Sequence, residues 1–290
     1  MKRALALGMS VLMMAGAITG CGQAGDAKNN TVKLGYVNWS EGIAMTNLVA
    51  AVLEDEMGYK VEMTMADVAP VFTSVASGNT DAFLDVWLPL THEDYMSEYK
   101  DKLEDLGPSY TNASIGLAVP TYVPVNSIAE LNANKELFGG EIIGIDTGAG
   151  IMKATEQAIA TYGLDYTLLT GSGPTMTAAL KKAIDAQKPI VVTGWKPHWK
   201  FARWDLKMLE DPEGVYGAEE DIHKVVRKGL DEDMPEVFDF LINFQLEEQE
   251  LGDLMGAIED NSNEDPKEVA RKWAKEHAEL VKSWIPEKSE

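Results

Sequence analysis

The stretch Glu141-Ile-Ile-Gly-Ile-Asp-Thr-Gly-Ala-Gly-Ile-Met-Lys-Ala-Thr-Glu-Gln-Ala-Ile-Ala-Thr161 changes its hydrophobic period at its centre. Ile142 to Ile145 is a short apolar run suited to a buried strand, Gly148 to Gly150 interrupts regular structure, and Met152 to Tyr162 has helical spacing. The reading is a strand, a tight glycine turn and a helix start. Backbone N–H groups at Gly150 and Ile151 are then unpaired donors at the positive end of a helix, and Gly150 has no side chain to keep a ligand away. Such a place suits an anion. The same residues also suit a plain strand-to-helix connection whose glycines serve packing.

Tryptophans stand at three comparable places, each where an apolar, strand-like run gives way to a loop: Leu34-Gly-Tyr-Val-Asn-Trp39, Ala82-Phe-Leu-Asp-Val-Trp87 and Pro189-Ile-Val-Val-Thr-Gly-Trp195. In open α/β sheets, ligands sit beyond the carboxyl ends of the strands, where these side chains would project. A single tryptophan at a strand end is ordinarily packing. Three at matching ends can surround a cation without a counter-charge.

The 290 residues are 45% hydrophobic and 25% charged, as in an ordinary globular protein with room for two α/β units. Residues 1–20 hold two basic residues and no acid, so the remainder carries 23 basic against 47 acidic residues, a net charge of −24. That surface repels nucleic acid and anionic lipid headgroups. The opening Met1-Lys-Arg3 and the apolar segment to Gly20 read as an export signal, too short for an ordinary membrane span. Cys21, the only cysteine, follows Ile18-Thr-Gly20 and resembles the lipobox of bacterial lipoproteins, in which that cysteine is acylated and becomes the first mature residue. Disulfides and thiol catalysis are excluded, and Gly22 to Asn30 is expected to be a short polar tether.

From Thr31 to Asp85 strands alternate with helices, which implies a parallel sheet. Strands are expected at 32–37, 61–65 and 80–86, with helices at 43–56 and 71–77 between them. Pro89 stops the third strand, and Thr91 is placed to cap a helix beginning near His92. Ser114 to Pro120 reads as a strand leaving this unit, and Ser127 to Leu131 as the beginning of a helix capped by Ser127. The second unit continues with a turn at Ser172-Gly-Pro-Thr175 into a helix through Ala186, and a strand from Ile190 to Thr193. Asp205 to Tyr216 reads as turns, and Glu219 to Trp284 as almost entirely helical, with His223 and His277 exposed. Trp199 and Trp204 read as packing of the second unit, Trp273 and Trp284 as core.

The order Asp67-Val-Ala-Pro70, Asp85-Val-Trp-Leu-Pro-Leu-Thr-His92, Gly116-Leu-Ala-Val-Pro120, Phe138-Gly-Gly-Glu-Ile-Ile-Gly-Ile-Asp-Thr-Gly-Ala-Gly-Ile-Met152, Val192-Thr-Gly-Trp-Lys-Pro-His-Trp199 and Leu209-Glu-Asp-Pro-Glu-Gly-Val-Tyr216 resembles the glycine betaine binding proteins of ABC importers. The resemblance runs from about Val32 to Trp284. It implies a type II periplasmic-binding-protein fold: two α/β lobes, residues 31–116 plus 216–290 and residues 117–215, around a central ligand cleft. It also implies that Trp39, Trp87 and Trp195 surround a trimethylammonium group, while His92 and the amides of Gly150 and Ile151 take a carboxylate. His198 is a weaker candidate in the same motif. The implied partners are a zwitterionic, glycine betaine-like ligand, a membrane permease with its ATPase, and the membrane through a lipid anchor at Cys21. The protein is then extracytoplasmic, with no cofactor and no nucleic-acid partner.

The sequence contains no G-x-S-x-G elbow, no P-loop, no G-x-G-x-x-G opening a βαβ unit and no paired His/Cys ligands. Acidic runs such as Asp231-Glu-Asp233 lack metal-ligand spacing and read as solvated surface. Two alternatives remain. The ligand could be choline or carnitine, which share the cation; choline lacks the carboxylate that the donor half of the site suits. From another class, a lipoprotein binding a protein partner would need an exposed apolar patch.

Overall fold

The computed structural model describes residues 30–287; the expected export signal, Cys21 and the tether before Asn30 lie outside the described residues. In chain order the strands are β1 (Thr31–Tyr36), β2 (Lys60–Met65), β3 (Ala82–Leu88), β4 (Leu103–Pro120), β5 (Glu141–Ile143), β6 (Thr167–Leu169), β7 (Val192–Lys196), β8 (Leu206–Met208) and β9 (Glu220–Arg227). The helices are α1 (Ser40–Asp55), α2 (Val68–Ala76), α3 (Glu93–Glu98), α4 (Lys135–Phe138), α5 (Gly150–Thr161), α6 (Gly173–Asp185), α7 (Lys200–Arg203), α8 (Leu230–Asp233), α9 (Pro235–Asn243), α10 (Glu248–Asp260), α11 (Pro266–Glu276) and α12 (Ala278–Trp284).

One sheet runs in the order β2-β1-β3-β9-β4-β7-β5-β6, with β8 against β4. Its two ends are parallel, β1 with β2 and β3, and β5 with β6 and β7, as strand–helix alternation requires. The middle is not. Strand β9 runs antiparallel to both β3 and β4, and β4 runs antiparallel to β7, so the expectation of a parallel sheet holds only at the ends. Strand β4 is the continuous thread: Leu103 to Ala113 pairs with β9, and Ser114 to Ala118 pairs with β7. The sequence revealed only its second half. Its first half bends at Gly107, which adopts φ 83° beside a register shift and donates its N–H to Asp105 Oδ1 at 2.9 Å, and this interruption hides the period of two.

Strand β9 contradicts the reading of 219–284 as almost all helical. Glu220-Asp-Ile-His-Lys-Val-Val-Arg227 carries five titratable side chains among eight residues, which masks the inward row that includes Ile222, Lys224 and Val226. Lys224 is 1% exposed, and its ammonium donates to the carbonyls of Pro108 (2.8 Å), Ile242 (3.2 Å) and Phe244 (2.8 Å). The last two are among the carbonyls that the end of α9 leaves without a helical partner. Burial pulls the Lys224 amine down to about 8, still protonated at neutral pH. His223 is largely covered and its Nδ1 pairs with Asp105 at 2.8 Å, while His277 stacks on Trp273 with ring centroids 3.8 Å apart; neither is the exposed side chain expected.

Helix α1 is buried along most of its length, from Glu41 to Leu53. Its far end is clamped by the C-terminal helices, where Arg271 and Lys267 of α11 reach Glu54 at 2.8 and 2.9 Å. Trp273 and Trp284 are buried, as expected of core residues. Helix α6 starts with a reciprocal Ser172/Thr175 cap, whereas the helix expected to begin at Ser127–Leu131 starts as a 3₁₀ turn, Ile128–Glu130, with Ser127 Oγ accepting from Ala129 N–H, and a second 3₁₀ turn leads into α4.

Replacing Lys224 with methionine keeps the apolar stem and strands three buried carbonyls. It is expected to lower stability by roughly 2–5 kcal/mol, read from urea denaturation midpoints at constant slope. An unchanged midpoint would contradict the role given to the ammonium.

Candidate functional site

The six residues singled out in the sequence come together. Trp39 follows β1 and precedes α1, Trp87 lies in β3, Trp195 in β7, and His92 immediately before α3, while Gly150 and Ile151 open α5. All six line one pocket, together with Glu41, Thr91, Ile115, Ile145 and Ala149. The parallel ends of the sheet place β1, β3 and β7 so that their carboxyl ends converge there, at the position where α/β sheets bind ligands.

Each indole spends its single N–H on a carboxylate. Trp39 Nε1 donates to Asp146 Oδ1 (3.1 Å), Trp87 Nε1 to Asp85 Oδ1 (2.9 Å) and Trp195 Nε1 to Glu41 Oε2 (2.8 Å). With those edges occupied, the rings offer the pocket carbon π surface. That surface attracts a cation electrostatically and gives a cation with no N–H the only kind of contact it can use.

His92 is fully buried, and its Nδ1 accepts the backbone N–H of Trp87 at 3.0 Å. A neutral imidazole with Nδ1 as acceptor carries its proton on Nε2. Nε2 has no partner among the described residues, and burial pulls the ring's pKa down to about 3, so His92 is a neutral donor. The neighbouring donors are the amides of Gly150 and Ile151. The helix supplies no acceptor in its first turn, and Ala149 caps it without a side-chain hydrogen bond; the first amide of that turn to be bonded is Met152, to Ala149 O at 3.0 Å. A Cβ at Gly150 would collide with the carbonyl oxygen of Thr91. The glycine therefore lets α5 approach the turn that carries His92, so its packing role and its open amide have one cause.

That turn is held in a way the sequence did not suggest. Thr91 does not cap α3; its hydroxyl bonds Glu220 Oε2, while Glu220 Oε1 accepts the N–H groups of Leu90 (2.7 Å) and Thr91 (2.8 Å). Glu220 is 2% exposed on β9, so a buried carboxylate outcompetes the local cap and fixes the approach to His92. Across the pocket, Tyr95 Oη donates to Gly148 O at 3.1 Å and Lys153 pairs with Asp94, joining the α3 side to the start of α5. His198 is not on the pocket wall: it lies edge-on to Trp195 at 4.9 Å, with Nδ1 accepting from Lys200 N–H. Trp199 and Trp204 pack against each other at 5.3 Å.

Sequence reasoning missed Glu41, Asp85, Asp146 and Glu220. The signal available was thin: Glu41 lies two residues after one tryptophan and Asp85 two before another, in a chain rich in acids. Among the described residues no group of three or more His, Cys, Asp or Glu is placed to hold a metal ion, and no helix is long and apolar enough to cross a membrane.

The family model for the substrate binding domain of the ABC-type glycine betaine transport system, OpuAC, matches residues 30–276. The glycine betaine/carnitine transport binding protein GbuC of Listeria monocytogenes is 46% identical over 164 residues, a stretch that spans 54% of this chain and 54% of that protein. Among solved structures, the glycine betaine/L-proline-binding protein ProX from Borrelia burgdorferi is similar with a TM-score of 0.85 at 36% identity, covering 89% of this chain and 97% of that one. Lactococcal OpuAC, closed and complexed with glycine betaine, gives 0.82 at 37% identity over 88% of this chain and 99% of that one. A choline binding protein in complex with choline gives 0.81 at 26% identity, over 88% and 91%. The mixed, curled sheet with helices on its faces is accordingly the type II periplasmic-binding-protein fold.

Because burial depresses the folded-state pKa of His92 to about 3 from the 6.5 of a free imidazole, the unfolded chain binds a proton between those values that the native ring refuses. Its contribution to stability is present above pH 6.5 and is lost as pH falls from 6.5 toward 3. Nitrogen-15 NMR is expected to find the Nε2–H tautomer unchanged from about pH 8 to about pH 5. A ring that titrates inside that window would contradict the assignment.

Proposed function

The chain belongs to the OpuAC family, the substrate binding domain of ABC-type glycine betaine transport systems, and from that premise we propose that it captures glycine betaine in the pocket between Trp39, Trp87 and Trp195. The observation that carries the reading is the pairing of two opposite half-sites in one cavity. Three indoles whose polar edges are turned to carboxylates face a quaternary ammonium, which cannot be hydrogen-bonded. The Nε2–H of His92 and the amides of Gly150 and Ile151 stand ready for a carboxylate at a helix start. A carboxylated quaternary ammonium compound satisfies both halves, whereas choline satisfies one. Carnitine, with a longer reach to its carboxylate, is the nearest competitor.

Capture works by closure. Residues 31–116 with 216–290 form one lobe, carrying Trp39, Trp87 and His92; residues 117–215 form the other, carrying Trp195, Gly150 and Ile151. Only the closed arrangement makes all contacts, so ligand binding shifts the population toward it. The closed protein delivers its ligand, chemically unchanged, to a membrane permease driven by an ATPase. It works outside the cytoplasmic membrane, held there by lipid on Cys21.

Calorimetric titration with glycine betaine, carnitine and choline tests the ligand, with glycine betaine expected to bind most tightly. Trp195→Ala is expected to weaken glycine betaine binding by roughly one to two orders of magnitude, through lost packing and lost cation–π attraction; an unchanged affinity would remove Trp195 from the site. His92→Ala is expected to weaken carboxylated betaines more than choline, and equal losses for both would count against its contact with the carboxylate.

A further inference from the structure

The structure assigns Glu41, Asp85 and Asp146 as specificity-determining residues: carboxyl groups bonded to the indoles whose ionised form a positive charge in the pocket favours, so that the pocket selects charge as well as shape. The assignment rests on the quaternary ammonium reading above and goes beyond it, since none of the three needs to touch the ligand to act.

Three observations carry it. First, the carboxylates are distributed one to each tryptophan, at 2.8–3.1 Å from the indole nitrogens, with Glu41 and Asp85 neighbours and Asp146 on the segment that follows β5. Second, they are withdrawn from water: Glu41 is 1% exposed, Asp85 is fully buried, and Asp146 is half-buried. Third, none of them is held in a close ion pair. Among the described residues no Lys, Arg or His nitrogen lies within 4.0 Å of any of them, and Asp85 Oδ2 and Asp146 Oδ2 have no hydrogen-bond partner at all. Lys200, fully buried and 3.8 Å from the Trp195 ring centroid, acts electrostatically on Glu41 from off the pocket wall, with no hydrogen-bond partner for its Nζ.

Buried carboxylates without paired cations are costly, and the cost shows in their acidity. Burial pushes Glu41 up to about 7, and burial together with the neighbouring Glu41 pushes Asp85 well above the usual carboxylate range; burial also raises Asp146. A positive charge placed between the indoles relieves all three at once. In a dry site that attraction acts over several ångströms with little screening. Each carboxylate also polarises the indole whose N–H it accepts, leaving the ring face more negative toward the pocket. The carboxylates and the aromatic faces thus act in the same direction on one ligand atom.

A ligand pair isolates the charge. Glycine betaine and 3,3-dimethylbutanoate have the same shape and the same carboxylate, and differ only in a quaternary nitrogen against a quaternary carbon. Glu41→Gln, Asp85→Asn and Asp146→Asn keep an oxygen that accepts the indole N–H and remove the charge. Calorimetry of each variant with both compounds gives the ratio of dissociation constants, and thermal denaturation monitors folding. The wild type is expected to favour glycine betaine by about a hundredfold, and each variant to reduce that preference by about tenfold, through weaker binding of the betaine alone. Equal losses for the two compounds, or an unchanged ratio, would overturn the assignment. A wild type that binds neither compound would overturn the betaine reading itself and this inference with it. Asp146→Asn, at the least buried position, decides the matter should the other two fail to fold.

Discussion

An indole has one hydrogen to donate, and where it goes determines what the ring can offer. In this pocket the three donors are taken up by Asp146, Asp85 and Glu41, and the three rings line a common space. Were those N–H groups free, the cavity would present three polar edges and would hold water or a carbonyl as readily as a methylated cation. The carboxylates come from three different segments, so the cage is assembled only when the whole sheet is. Asp85 lies on the same strand as its tryptophan, but Glu41 and Asp146 bond tryptophans 154 and 107 residues away in sequence.

The opposite end of the pocket follows the complementary rule. A carboxylate wants donors, and the donors here are ones the fold has left without acceptors: the open first turn of α5 and the Nε2–H of His92. Their position depends on close approach. Gly150 packs where any side chain would strike the Thr91 carbonyl, and Glu220, from the central strand β9, ties down the turn that carries Thr91 and His92. A backbone carbonyl, a glycine and a remote glutamate therefore determine where an imidazole stands.

Much of this was legible in the sequence, and the limits are instructive. The strand–glycine–helix reading at 141–161 located the open amides because a change from a short apolar run to helical spacing is a local signal. The three tryptophans were found because each ends an apolar strand. The antiparallel middle of the sheet was not found. In β9 the buried Lys224, satisfied by three carbonyls, looks in sequence like a surface residue, and in β4 Gly107 interrupts the alternation. The carboxylates behind the indoles were invisible for a different reason. A sequence with 47 acidic residues gives no sign of which of them lie buried against a tryptophan, because that pairing is made by the tertiary fold. Thr91 satisfies the local rule for a helix cap, and a long-range partner, Glu220, takes its hydroxyl instead.

The most direct measurement is the crystal structure of the extracytoplasmic domain with glycine betaine. The account predicts the quaternary nitrogen within about 6 Å of the ring centroids of Trp39, Trp87 and Trp195 together. It also predicts the ligand's carboxylate bonded to His92 Nε2 and to the amides of Gly150 and Ile151. A betaine found elsewhere, or lying reversed with its carboxylate among the indoles, would contradict it.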